Sequence, residues 1–299
     1  MDDVELTSDT AHANLIWQRR HYKHLFNQLQ PNQYINHFHN EGCLVTKGKL
    51  YAGLQAYYRA LMAPEFPLEQ FLQPSYRLYV ETERDAFLQQ LPAVDTEENL
   101  WIMKPSDLSK GIGIRVLWQL SAIKKQLQKN KGRFLVPGRG EKDYVIQKYI
   151  RNPLLLKGRK SEIRLYWLIA NIEPLKVLLF DEGTVRLNSL PFQLGNYENQ
   201  LIHVTNVYQQ KRHPDYDPNV VLKWCFADLQ QYLVEQNYTD NVNYIADILM
   251  PKFQKIISAV ARSAAQELRD HQQAGQSFAL YGADIILDDQ LNPWLAEVQ

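Results

Sequence analysis

Two acids, Asp284 and Glu297, interrupt the apolar runs that close the chain, residues 278–287 and 294–298. The runs flank Asp288-Asp-Gln-Leu-Asn-Pro293, the pattern of a β-hairpin with a short loop. Folded there, the hairpin brings Asp284 and Glu297 to within about one residue of facing each other. A buried carboxylate is costly unless a cation pairs with it, so converging acids point to divalent-metal ligands, most simply for a Mg-nucleotide. A solvent-facing acid on each strand fits the same pattern.

Basic residues also interrupt apolar strands. Lys104 ends the run Trp101-Ile-Met-Lys104, where an unpaired ammonium would be costly. It leads into Ser106-Asp-Leu-Ser-Lys110-Gly111-Ile-Gly113, a Gly-containing loop between two strands whose N–H groups could cover phosphates. No helix begins after a Gly-Lys-Ser/Thr, so it is not a Walker loop, and an ordinary hairpin turn explains the glycines as well. In Ser161-Glu162-Ile-Arg164-Leu-Tyr166-Trp-Leu168, strand alternation puts Glu162, Arg164 and Tyr166 on one face with Lys160, opposite Ile163, Leu165, Trp167 and Ile169. Arg186, on a following strand, could join that polar face. The set fits a site for a polyanion and its metal; a surface salt-bridge ladder is the alternative. Thr205-Asn206 alone reads as a turn or cap.

The elements that must position these groups alternate between helix and strand. Helical spacing predicts helices over 50–62 and 82–91, one capped by Ser121 and running through Lys129, and two more over 220–236 and 251–271. Strands are predicted at 101–104, 114–118, 144–150, 162–170 and 174–180. A basic loop is expected at 129–142 and a polar loop at 213–218. His37-Phe38-His39 lacks a companion Cys or carboxylate cluster and reads as packing or loop. The 299 residues are 45% hydrophobic and 11% aromatic, a globular composition. With 33 basic and 33 acidic residues the net charge is zero, which argues against general nucleic-acid or membrane binding. The two cysteines, Cys43 and Cys225, have no metal-type spacing, and there is no apolar run of bilayer length. A cytoplasmic protein is expected.

The pieces occur in an order that resembles the tubulin-tyrosine-ligase-like proteins, which are ATP-grasp amino-acid ligases. The resemblance runs from about Asn36 to the last residue. It begins with Asn36-His37-Phe38, Leu44-Val-Thr-Lys47, Trp101-Ile-Met-Lys104-Pro and the Lys-Gly-x-Gly loop. It continues through Val145-Ile-Gln147-Lys-Tyr149-Ile150 with Asn152-Pro-Leu-Leu155, Lys160-x-Glu162-x-Arg164 and Phe180-Asp-Glu-Gly-x-x-Arg186. It ends with His203-Val-Thr205-Asn206, Gly282-x-Asp284 and Pro293-Trp-Leu-x-Glu297-Val298. The resemblance implies an α+β ATP-grasp fold with mixed or antiparallel sheets and nucleotide between central and C-terminal domains. The divisions expected are 1–46, 47–148 and 149–299.

The resemblance also implies roles. Lys47 and Lys104 contact ATP phosphates, with the loop holding Lys110, Gly111 and Gly113 folded over them. Gln147, Lys148, Tyr149 and Ile150 form the adenine-side hinge, and Lys160 and Glu162 reach the nucleotide. Arg164 and Arg186 hold the acyl-phosphate and incoming carboxylates. Thr205 and Asn206 line the nucleotide and amino-acid pocket. Asp284 and Glu297 bind Mg²⁺, with Gln299 as third ligand and Glu297 also essential to catalysis. Two positions depart from the family pattern: Glu162 stands where Asp is usual, and Gln299 where Asn is usual.

The implied reaction turns an acceptor protein's carboxylate, a Glu side chain or a C-terminus, into an acyl-phosphate that a free amino acid's amine then attacks. Both steps gather negative charge, for which Lys, Arg and Mg²⁺ are the catalytic device. Tyr, Glu and Gly are all used within the family, and a monomer is expected. Zero net charge and no basic extension leave acceptors other than tubulin open. A free carboxylate after Gln299 would add charge beside the metal, so a longer parent sequence is expected. The competing reading is a relative that binds nucleotide or a protein tail without ligating. A kinase-type phosphotransferase lacks its His-Arg-Asp and Asp-Phe-Gly segments.

Overall fold

The computed structural model describes residues 5–92, 94–211, 214, 216–217, 222–270 and 276–299. Among the described residues there are three sheets. A small all-parallel sheet joins β1 (Leu15–Ile16) and β12 (Gln276–Ser277) to either side of β2 (Tyr34–Ile35). The second sheet is antiparallel, ordered β3-β7-β4-β5 from β3 (Ser75–Arg77), β4 (Trp101–Pro105), β5 (Arg115–Leu117) and β7 (Gly140–Lys148), with β6 (Arg133–Val136) on β7. The third, also antiparallel, is ordered β11-β10-β9-β13-β14. Its strands are β9 (Arg159–Ile172), β10 (Leu175–Leu187), β11 (Lys223–Trp224), β13 (Ala279–Leu287) and β14 (Pro293–Val298), and β8 (Leu155–Leu156) pairs with β9. The α+β architecture with antiparallel sheets agrees with the sequence-based expectation.

Helices cover one face of each large sheet, because the strands alternate apolar and polar residues. On β4 and β7, Trp101, Met103, Tyr144 and Ile146 bury themselves with Phe87 of α4 (Glu81–Gln89) and Ile123 and Leu127 of α5 (Leu120–Asn130). On β9, Ile163, Leu165, Trp167 and Ile169 pack against α8 (Phe226–Glu235) and α9 (Met250–Asp270). Removing a side chain of this kind from water stabilises by about 1.5–3 kcal/mol. The opposite faces, bearing Lys104 and Gln147 on one sheet and Glu162 and Arg164 on the other, look into the space between the sheets.

Several local expectations are corrected. The first long helix, α3 (Lys47–Ala60), begins at Lys47, three residues earlier than its apolar spacing predicts. Ser121 lies inside α5 and is not its cap; its N–H donates at 3.1 Å to the Asp95 carboxylate, which meets the helix start from outside the helix. The expected basic loop at 129–142 holds β6 and the start of β7, paired across the turn that Gly138 and Gly140 make at positive φ. The predicted strand at 174–180 is the first half of one long strand, whose pairing with β9 shifts between Leu179 and Gly183. Pro251 lies in the opening turn of α9, as expected, and a π-helical turn, Ile245–Leu249, leads into it. Of the predicted polar loop, His213, Asp215 and Pro218 lie outside the described residues, as do the predicted helix ends Val220 and His271. His37 packs as expected, with Glu41 3.0 Å from Nδ1 and the Gln18 carbonyl 3.0 Å from Nε2.

Candidate active site

Lys104 is buried, yet its ammonium is held. It donates to Gln147 Oε1 at 2.8 Å and to the Ala296 carbonyl of β14 at 3.3 Å. Gln147 in turn donates to Ser75 Oγ at 3.0 Å, so its amide is oriented from behind. Lys47 opens α3 and reaches Glu297 Oε2 at 2.8 Å and the Leu108 carbonyl at 2.8 Å. Burial pushes Lys104 down to about 8 against the opposing pull of Glu297. Burial works to raise Glu297, but Lys47 and Lys104 outweigh it and leave the carboxyl below its ordinary value.

The third sheet supplies the acids and arginines, and register explains their meeting. Asp284 pairs across strands with Arg164 on one side and Glu297 on the other, and Arg186 pairs with Glu162. The Arg164 guanidinium binds both oxygens of Asp284, one through Nη2 at 2.8 Å, while Arg186 Nη2 bridges Asp284 and Glu162. Gly282 makes this geometry available, because a Cβ there would stand 2.8 Å from Arg164 Cδ. Glu162 is raised to about 7, first by burial and then by the charge of Asp284, against Arg186. Thr205 hydrogen-bonds to it.

Lys160 starts a buried relay. Its ammonium donates to Tyr149 Oη at 3.1 Å and to the His203 carbonyl at 3.0 Å, and lies 4.4 Å from the Tyr149 ring centre. Tyr149 Oη lies 2.9 Å from His203 Nδ1, and His203 Nε2 lies 2.9 Å from the Asn196 carbonyl. A carbonyl only accepts, so the imidazole proton sits on Nε2 and Nδ1 accepts from Tyr149. Burial, then the charge of Lys160, drop His203 to about 4, which keeps the ring neutral. Burial also drops Lys160 to about 7, with Glu162 pulling the other way.

These groups border a narrow cleft between the two large sheets. Lys47, Lys104, Lys160, Glu162 and Glu297 line it with apolar Ile102, Leu108, Ile112, Val204 and Ile286. A flat apolar group fits such walls, and an anionic one fits the lysines. Gly111 lines the cleft at φ 70°, and Gly113 turns the loop at φ 76° where a Cβ would stand 2.8 Å from Pro105 and from Tyr144 Oη. Gln209 Nε2 donates to the Lys110 carbonyl at 2.9 Å, so the loop rests on α7 (Val207–Gln210).

The structure therefore brings together Lys47, Lys104, Gly111, Lys160, Glu162, Thr205, Asn206 and Glu297 on the cleft, with Arg186 bound to Glu162 beside it and Asp284 bound in turn to Arg186 and Arg164. Asn206 also caps α7, where its Oδ1 accepts from Tyr208 N–H at 3.0 Å. Others stand apart from the cleft lining. Lys148 turns away, donating to Asn99 Oδ1 at 2.6 Å and lying over Trp101. The Lys148 and Tyr149 N–H groups donate to the Pro74 and Leu100 carbonyls, and half-buried Ile150 follows them. Lys110 is exposed, its ammonium over the Tyr208 ring. Gln299 is half-buried at the end of β14, its side-chain amide on Glu297 Oε1 and its backbone paired with Gly282. Sequence reasoning gave no role to His203 or the apolar lining. Ile102 was readable, since it shares Lys104's strand face; Leu108 and Ile112, in an irregular loop, left no periodic signal.

Among the described residues no group of three or more His, Cys, Asp or Glu side chains is arranged as a metal site. Asp284, Glu297 and the Gln299 side-chain carbonyl are oxygen donors of the kind a hard cation such as Mg²⁺ takes, although here Arg164 and Arg186 hold Asp284 while Lys47 and the Gln299 amide hold Glu297.

The family model for the tubulin-tyrosine ligase family matches residues 26–299. A probable tubulin polyglutamylase TTLL9 of Bos taurus is 29% identical, over 96% of this chain and 66% of the relative. The tubulin polyglutamylase TTLL5 of Homo sapiens is 27% identical, over 98% of this chain and 22% of its own length. A probable alpha-tubulin polyglutamylase Ttll1 of Tetrahymena thermophila is 29% identical, over 91% and 66%. The chain thus spans just under two thirds of the first of these relatives and a much smaller share of the second. A family match across the helices, both large sheets and the cleft between them establishes that this chain belongs to the tubulin-tyrosine ligase family.

Proposed function

We propose that this chain is an ATP-dependent ligase that joins a free amino acid to a carboxylate of an acceptor protein. The observation that carries this reading is the cleft itself. Buried lysines from one sheet and helix face an arginine–carboxylate cluster on the next, around an apolar slot open to solvent. In this reading ATP lies between residues 47–148 and 149–299, its base toward the apolar wall of the cleft and its phosphates toward Lys47, Lys104 and Lys160. The loop with Lys110, Gly111 and Gly113 covers them.

An acceptor carboxylate oxygen attacks the γ-phosphorus, the bond to the β-phosphate oxygen breaks, and ADP leaves an acyl-phosphate behind. The neutral amine of the amino acid then attacks the acyl carbon, the phosphate oxygen leaves with its electron pair, and the amine proton passes to solvent. Arg164 and Arg186, held planar against Asp284 and Glu162, present fixed donors to the anionic groups of both steps. Asp284, Glu297 and the Gln299 carbonyl would hold Mg²⁺ in this scheme, and the ion would supply charge neutralisation to the phosphates.

The relatives' names make tubulin the first acceptor and glutamate the first donor to test. Protein incubated with Mg-ATP, tubulin and single labelled amino acids is expected to release phosphate and add a defined mass to the acceptor. Phosphate release without a mass shift under every donor would overturn the ligase reading. The second reading, a nucleotide- or tail-binding relative that does not ligate, draws on the closed pairing of the acids, with Asp284 taken by two arginines and Glu297 by Lys47.

A further inference from the structure

The face of the third sheet that carries Glu162, Arg164 and Asp284 does not end with the charged groups. Alternation puts Tyr166 and Leu168 of β9 on that same face. The register sets Leu178 of β10 and Leu280 of β13 directly on either side of Leu168. Tyr166 is 38% exposed, Leu178 49%, Leu280 61%, and Phe180, which alternates with Leu178, 58%. Phe278, two residues before Leu280, lies 6.2 Å from the Trp17 ring, which is itself exposed. The sheet's core is on the other face, with Leu165, Trp167 and Ile169, so among the described residues this row holds no layer of the fold together. A contiguous exposed row of this kind marks an interaction surface.

Two observations identify the occupant. The row is continuous with the cleft: Leu168 follows Arg164 by four residues on one strand, about 13 Å along it. The exposed acids Asp181 and Glu182 stand in the bulge beside Phe180 and oppose a uniformly acidic segment there. We propose that this row is the docking platform of the acceptor polypeptide, and that the acceptor carries an apolar side chain about four residues from the carboxylate to be modified. An extended chain lying along β9 would then place its acid at Arg164 and Arg186 and its apolar side chain over Leu168, between Leu178 and Leu280. This rests on the ligase reading for the acid's position, but not for the docking itself.

Two synthetic peptides test it, each with one glutamate: one with Leu four residues away on either side, the other with Ser at those positions. Binding is read by fluorescence anisotropy in the presence of Mg-ATP, and ligation by incorporation of labelled glutamate. The apolar peptide is expected to bind about ten-fold more tightly and to be ligated with a correspondingly lower KM. The exposed-site double variant Leu178→Ser/Leu280→Ser is expected to erase that preference. Equal binding of the two peptides to the unaltered protein, no binding of the apolar peptide, or discrimination that survives the double variant would overturn the platform. Ligation without discrimination sinks the platform and leaves the ligase standing; discriminating binding without ligation does the reverse. A concentration-dependent dimer that Leu280→Ser disperses would assign the face to a second copy of the chain, and the proposal would fall.

Discussion

Lys47 and Glu297 close a 2.8 Å ion pair between the first residue of a helix and a strand of the third sheet. The helix lies far from that strand in sequence, so the pair ties together two parts of the fold that meet at the cleft. It also gives Glu297 a resident cation. Any metal taken up there competes with an ammonium or is added beside it.

Glu297→Gln keeps the shape and removes the charge. ATP-dependent ligation is expected to fall by about 10²-fold or more, the scale seen when a preorganised charge-stabilising group is lost. The thermal midpoint, read by circular dichroism, should move little, because Gln can still accept from Lys47. Unchanged turnover in that variant would dismiss Glu297 from the chemistry.

Asp284→Ala has a different cost. It strips Arg164 and Arg186 of their shared carboxylate while both remain largely buried. Breaking a buried pair from one side destabilises by about 3–5 kcal/mol. The partial exposure of both arginines puts the expected value at the lower end, measured as a loss of urea unfolding free energy. A change under about 1 kcal/mol would show that the cluster relaxes easily.

Stability should depend on pH through Lys160. Burial lowers its folded value to about 7 from 10.5, so between those values the unfolded chain holds a proton that the folded chain does not. Stability therefore rises with pH across that window and is lost as pH falls toward 7. Glu162 works below it: raised from 4.5 to about 7, it contributes stability at low pH that is lost as pH rises through 7. Melting curves of the unliganded protein against Lys160→Met from pH 7 to 10 should show a steeper upward slope in the unaltered chain, with the slope left in the variant confined to pH above about 8, where Lys104 titrates. Parallel curves would mean Lys160 keeps its proton.

Gly282→Ala probes the arginine's seat. A methyl 2.8 Å from Arg164 Cδ must push that flexible side chain away from Asp284. Ligation is expected to drop about ten-fold while far-UV circular dichroism is unchanged, because the obstacle is a side chain and not backbone. Full activity would show that Arg164 reaches its position by another path.

The parts of the site that were legible in sequence are those a strand's period of two exposes. Glu162 with Arg164, and Asp284 facing Glu297, follow from alternation and from one hairpin. Partnerships were not legible. The hairpin acids suggested an external cation, and the structure gives each of them a protein cation, because Lys47, Arg164 and Arg186 come from elements whose packing no local pattern specifies. Asp95 at the start of α5 is hidden for the same reason, since it reaches Ser121 from a separate loop. The β6–β7 hairpin was missed because Lys, Arg and Gly dominate 129–142 and mask its alternating Phe134 and Val136. His203 was quoted as part of a motif, but its use depends on Tyr149 and Lys160, which converge on it only in three dimensions.

The small parallel sheet has a consequence for how the protein is made. Its central strand, Tyr34–Ile35, waits for Gln276–Ser277 before its second edge is covered. On a ribosome that edge stays bare until residue 277 has been made, and contacts of such long sequence separation are slow to form. Asp284 and Glu297 emerge later still. A nascent chain would hold its lysines and Glu162 long before the acids that complete the cleft, so the site stays silent until β13 and β14 are out. Proteolysis of ribosome-stalled chains of increasing length would show the N-terminal layer gaining protection only once residue 277 has cleared the tunnel.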